Sequence, residues 1–134
     1  MAVHWVVVAD AGSAHVYEGE VLLEELHAVP NVTFTHQTGT GHGGREAHHD
    51  PHLLHEGRFA RAVAHAINEG LTQHRFERLV LVAPPHFLGD LRAELSTLAS
   101  RAVVGSIHHD WTKVQPHMLA ARVRKELPAV FGLD

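Results

Sequence analysis

The sequence predicts an α/β fold: a single domain built on a mixed sheet, antiparallel at its start and parallel at its end, with helices packed on it. Three observations carry this expectation. The first thirty residues hold β-favouring runs separated by turns so short that neighbouring strands must be antiparallel. Residues 79–83 read Leu-Val-Leu-Val-Ala, a wholly apolar run of the kind that a strand buried on both faces requires. From there onward strand patterns alternate with helical ones in a βαβα order, which makes the later strands parallel with right-handed crossovers. The length of 134 residues amounts to one domain, residues 1–134, large enough to bury roughly two thirds of its unfolded surface.

The elements follow in order. Trp5 to Ala9 is the first strand, and Asp10-Ala11-Gly12-Ser13 is a turn in which Asp10 is the turn-forming residue. Ala14 to Glu18, with Val16 and Tyr17, is the second strand. Gly19-Glu20 turns the chain into a third, Val21 to Val29, which Pro30-Asn31 ends, so that the opening is a β-meander. Between Val32 and Pro51 periodicity disappears and four glycines fall within Gly39 to Gly44. This Gly/His-rich stretch, residues 32–52, is expected to be a mobile loop. From Leu53 a helix begins, with Ala60, Val63, Ala64, Ile67 and Leu71 on one face and Arg58, Arg61, His65 and Glu69 on others. Leu79 to Ala83 is the central strand, stopped by Pro84-Pro85. Leu88, Leu91, Leu95 and Leu98 mark one further helix, with Asp90 in its first turn, where a negative charge suits the helix dipole. Ala102 to His108 is another strand, and Met118, Leu119, Val123 and Leu127 form the apolar stripe of a last helix before Pro128.

With 45% hydrophobic and 19% charged residues the composition is that of a soluble globular protein. There are no cysteines, which excludes a disulfide framework, a thiol nucleophile, an iron–sulfur cluster and a cysteine-ligated zinc. The first residues lack the basic flank and the long apolar core of a secretory signal, and no run reaches the ~18 apolar residues of a membrane span, so the expected location is the cytoplasm, with no membrane partner. The 15 histidines outnumber the 11 lysines and arginines. Neutral histidines give a net charge of -4, and full protonation would give -4 + 15 = +11. Since an unperturbed imidazole titrates near pH ~6.5, the surface should change sign in mildly acidic solution. At neutral pH the balance is weakly acidic, so no DNA partner is expected from bulk charge, and any RNA contact must be local.

Gly39-Thr40-Gly41-His42-Gly43-Gly44 satisfies G-x-G-x-x-G but lacks the helix and the acidic residue that a dinucleotide site requires. As a phosphate loop it fails at Arg45-Glu46, where lysine and a hydroxyl residue are needed. His42, His48, His49, His52 and His55 cluster with Asp50 and Glu56. Had a helix begun this early, His48, His52 and His55 would share a face, and two imidazoles with a carboxylate can hold zinc. Pro51 interrupts the first pair, and solvated loop histidines are the plainer reading, so the expectation is no cofactor, with zinc on His48, His52 and His55 as the alternative. Asp10, Glu18, Asp50, Asp90 and Asp110 have ordinary roles as turn, cap or loop residues, and no G-x-S-x-G elbow supports a serine nucleophile. No catalytic residue is assigned.

Val6-Val7-Val8-Ala9-Asp10-Ala11-Gly12-Ser13-Ala14 with Val16-Tyr17-Glu18, Phe59-Ala60, and Leu79 to Pro85 followed by Leu88-Gly89-Asp90-Leu91-Arg92 together resemble the bacterial host attachment family, bacterial relatives of the archaeo-eukaryotic release factors. The resemblance covers nearly the whole chain. It implies the fold of the middle domain of release factors and Pelota, whose Gly-Gly-Gln loop reaches the peptidyl-transferase centre. The corresponding loop here reads His42-Gly43-Gly44-Arg45, and the helix after it begins Arg58-Phe59-Ala60-Arg61. Arg45 stands in place of the glutamine, and Glu46 to Gly57 make a longer linker than release factors have, so peptide release is not expected. A chain of 134 residues is also expected to have no codon-reading domain. The resemblance therefore implies a non-catalytic, ribosome- or RNA-associated accessory protein, touching tRNA or rRNA through Gly41, His42, Gly43, Gly44, Arg45 and Arg58. Its rival is a metal-binding protein or metal-dependent hydrolase using the histidine-rich loop. Attachment to host cells is then a phenotype that a cytoplasmic protein produces indirectly. Nothing in the sequence indicates an oligomeric state.

Overall fold

The structure, a computed structural model, describes residues 3–21, 25–29, 34–35 and 51–131. The elements in chain order are β1 (His4–Ala9), β2 (Ser13–Glu20), β3 (Glu25–Ala28), β4 (Phe34–Thr35), α1 (Pro51–Thr72), β5 (Arg78–Val82), α2 (Pro85–Ala93), α3 (Thr97–Ala102), β6 (Val103–Ile107), α4 (Pro116–Glu126) and α5 (Pro128–Phe131). The strands form one mixed sheet in the order β3-β2-β1-β5-β6, with β4 also paired to β2. β1 runs antiparallel to β2, with Val7 opposite Val16, and β2 runs antiparallel to β3 and β4. β5 is parallel to both β1 and β6, with Val7 opposite Leu81 and Val82 opposite Ile107. The expected α/β class, antiparallel first and parallel after, is the one observed.

Burial follows from strand alternation. Trp5, Val7 and Ala9 of β1 and Leu79 and Leu81 of β5 face a core closed by Phe59, Val63 and Ile67 of α1, Leu88 and Leu91 of α2 and Ala99 of α3. The intervening Val6, Val8, Val80 and Val82, with Ile107, face the opposite core under Leu119 and Val123 of α4 and Phe131 of α5. The sheet is thus the middle of three layers, which is why residues 79–83 are apolar without alternation and all buried.

Four expectations about boundaries are corrected. The third strand, expected over 21–29, is Glu25–Ala28, with neither Val21 nor Val29 in it, and residues 22–24 lie outside the described residues. The 32–52 segment is not loop throughout, since Phe34–Thr35 pair with Ser13 and Ala14, and α1 already starts at Pro51, a residue that is well tolerated in the first turn of a helix. The rest of that segment, and its expected mobility, lies outside the described residues. The helix expected through Leu98 is two helices. The Oγ of Ser96 accepts the Ala99 N–H at 3.1 Å and so caps α3, while the Oδ1 of Asn68 in α1 accepts the Ser96 N–H at 2.9 Å. With the stripe broken there, Leu98 is 67% exposed. Met118 likewise lies mostly outside the apolar face of α4. Finally, α2 begins at Pro85, so Asp90 lies in its second turn, away from the N-terminal end of the dipole, with His86 Nε2 at 3.6 Å.

β6 carries a bulge, the register moving between Leu79 opposite Val103 and Val80 opposite Gly105. A Cβ at Gly105 would come within 2.6 Å of a Leu127 methyl, so the extra residue brings bare backbone under the end of α4.

Candidate functional site

Of the residues expected to contact RNA, Arg58 is described. Gly41, His42, Gly43, Gly44, Arg45 and His48 lie outside the described residues. The backbone of α1 carries His52 and His55 in its first turns, and the side chains of both lie outside the description. Among the described residues no group of three His, Cys, Asp or Glu side chains is arranged to hold a metal ion.

The face of α1 opposite its core stripe is where Arg58 leads. Phe59, Ala60, Val63, Ala64 and Ile67 are drawn under the sheet, and the helical period then turns Arg58, Arg61, Ala62 and His65 outward. Arg58, Arg61 and His65 surround a shallow apolar depression of ≈ 510 Å³ floored by Ala62 and Ala66. Arg61 Nε lies 3.5 Å from Glu94 Oε1 at the end of α2. Its side chain is 73% exposed, so this pair is solvent-screened and holds the guanidinium loosely.

On the other side of Arg61 a second cleft, ≈ 320 Å³, opens between α1 and α2. Gly57, Ala60 and Ala93 form its small-residue floor, and Arg61, His86, Asp90 and Glu94 its polar rim. His86 Nε2 lies 3.6 Å from Asp90 Oδ2, one helical turn away. Sequence reading placed Arg61 and His65 only on a polar face and did not group the α2 residues. Their signal is the spacing of His86, Asp90 and Glu94 by fours; what it cannot give is Arg61, which comes from another helix.

A third polar cluster joins the carboxyl ends of β1 and β6. Asp10 Oδ1 accepts the N–H groups of Gly12 and Ser13, each at 2.8 Å, confirming its turn-forming role. The Thr112 hydroxyl donates to Asp110 Oδ1 at 2.6 Å and lies 3.3 Å from Asp10 Oδ2. Burial pushes the Asp110 carboxyl up, but the hydroxyl and N–H of Thr112, the contact with Asp10 and the charge of Lys113 outweigh it and hold its pKa below the ordinary value. These bonds fasten the β1–β2 turn to the loop after β6, and the cluster is a structural clasp.

No curated protein matches the chain. The family model described as "Protein required for attachment to host cells" matches residues 23–123, from the approach to β3 into α4. That span takes in the outward face of α1, the α1–α2 cleft and every parallel strand but β1, and with most of its length matched the chain belongs to the host attachment family.

Proposed function

We propose that this member of the host attachment family is a non-catalytic accessory protein that docks on RNA, as part of the ribosome or as tRNA, through the outer face of α1 and the glycine-rich segment 39–45 before it. The observation that carries the reading is the outward row of Arg58, Arg61 and His65. It places cationic groups along about 10 Å of helix, from the 1.5 Å rise per residue. Such a row supplies phosphate contacts locally, as a chain of net charge -4 must. The resemblance to the release-factor middle domain belongs to this reading, and the sheet order, meander first and parallel strands after, is compatible with it. Arg45 in place of glutamine makes it a binder and not a peptide-release factor. Attachment to host cells then follows indirectly, from a cytoplasmic role in translation.

The test is sedimentation of the protein with ribosomes from its own cells, alongside binding to tRNA, at rising salt. Association should weaken with salt, because phosphate contacts release counterions, and weaken further in an Arg58→Ala, Arg61→Ala double variant. Absence of binding to both at low salt overturns the proposal. Stoichiometric zinc binding lost in His52→Ala, His55→Ala, with no RNA binding, would replace it by the metal reading.

A further inference from the structure

The geometry points to a guanine-selective pocket in the cleft between α1 and α2, which takes one unstacked base of a single-stranded RNA; this inference rests on the RNA-binding reading above. The cleft of ≈ 320 Å³ lies at the small end of the ~300–1,000 Å³ range of small-ligand sites, the size that a single base with its sugar needs. Gly57, Ala60 and Ala93 put no bulky side chain into the cleft, which leaves a small-residue surface for a flat ring to rest on.

Selectivity comes from the rim. The Watson–Crick edge of guanine presents, in order, an acceptor at O6 and donors at N1 and N2. His86 and Asp90 present the complement side by side: an imidazole nitrogen able to donate to O6, then two carboxylate oxygens able to accept from N1–H and N2–H. Their 3.6 Å separation exceeds a hydrogen bond, so neither group is consumed by the other. Both stand on α2, a regular helix turn apart, and so hold this spacing without a loop. Uracil offers acceptor, donor, acceptor, and cytosine offers donor, acceptor, acceptor; each would set an acceptor against the Asp90 carboxylate. Adenine sets its N1 acceptor against the carboxylate, has no donor beside it, and puts its N6 donor where O6 would be. Arg61, on the wall shared with the outer face of α1, is placed to meet the phosphate of the same nucleotide, its screened pair with Glu94 leaving the guanidinium loose enough to do so. The outer face thus gives affinity and the cleft gives base choice.

The experiment is fluorescence anisotropy with two labelled heptamers, an all-uridine strand and the same strand with a central guanosine. The guanosine strand should bind about tenfold tighter, the discrimination of one bidentate base contact. Asp90→Asn, which turns one acceptor into a donor at a half-buried helix position, should abolish that preference; an inosine strand, lacking the N2 amino group, should fall in between. Arg58→Ala should weaken both strands alike. Equal binding of both strands by the unmodified protein, or a preference that survives Asp90→Asn in a variant of unchanged melting temperature, overturns the pocket and leaves the RNA reading standing. Binding of neither strand, of ribosomes or of tRNA overturns both.

Discussion

Gly70 is a residue whose identity is set by one neighbour. A Cβ there would lie 2.4 Å from the Trp5 ring. That ring is held in place: its N–H donates to Glu18 at 2.9 Å, Phe76 stacks on it at 4.6 Å between centroids, and the Arg75 guanidinium lies over it. Alanine is the better helix former by about 1 kcal/mol, yet Gly70→Ala should destabilise the protein by ~1–3 kcal/mol in a denaturant titration, because the overpacked indole cannot move away. The clasp at Asp110 makes a prediction of the opposite kind, small and pH-dependent. A carboxylate whose folded pKa is depressed contributes stability that is full above its unfolded value near ~3.9 and is lost as pH falls through the lower folded value. Thr112→Val removes the hydroxyl donor, so it should cost on the order of 0.5 kcal/mol at pH 7, the exposed position being screened, and the difference from the unmodified protein should close as acid protonates the folded-state carboxylate.

At the scale of elements, legibility tracks how local the deciding interaction is. α1 and β5 were readable because period and apolarity are written in the segment itself, and Leu79, Val80, Leu81, Val82 and Ala83 are all buried as that reading requires. Val80→Asp should accordingly abolish cooperative folding by circular dichroism, since an unpaired charge between two strands and under α4 has no water or partner to satisfy it. The break between α2 and α3 has a local mark, the Ser96 cap on Ala99, but the leucine spacing masks it, and the bond from the Ser96 N–H to Asn68, distant in sequence, could not be read at all. Asn68→Ala, which leaves the exposed Ser96 N–H to water, should cost about 0.5–1 kcal/mol and raise hydrogen exchange around residues 94–99. The same rule divides the candidate site. Arg58 could be picked from the helix that carries it, whereas the pairing of Arg61 with His86, Asp90 and Glu94 exists only once two helices are packed side by side.

For the molecule as a whole, the topology was legible because short turns and βαβ alternation leave few ways to lay the strands, whereas the surface field depends on where the titrating groups end up. Most described histidines, among them His27, His65, His74, His86, His108, His109 and His117, are exposed, while His4 is buried beside Phe131. Among the described residues, then, the histidines behind the excursion from -4 toward +11 on full protonation stand mostly on the surface. An RNA-docking face built on two arginines and a histidine should gain from that change. Affinity for the all-uridine heptamer at fixed ionic strength should rise severalfold between pH 7.5 and pH 5.5, and the salt dependence of binding should steepen as more cations engage phosphates. His65→Ala should remove part of the gain, being in the row itself, while His117→Ala, on the α4 layer across the sheet, should remove little. An affinity that stays flat across this range, with electrophoretic mobility reversing as the histidine count requires, would mean that the titrating surface and the RNA-binding surface are different faces of the molecule.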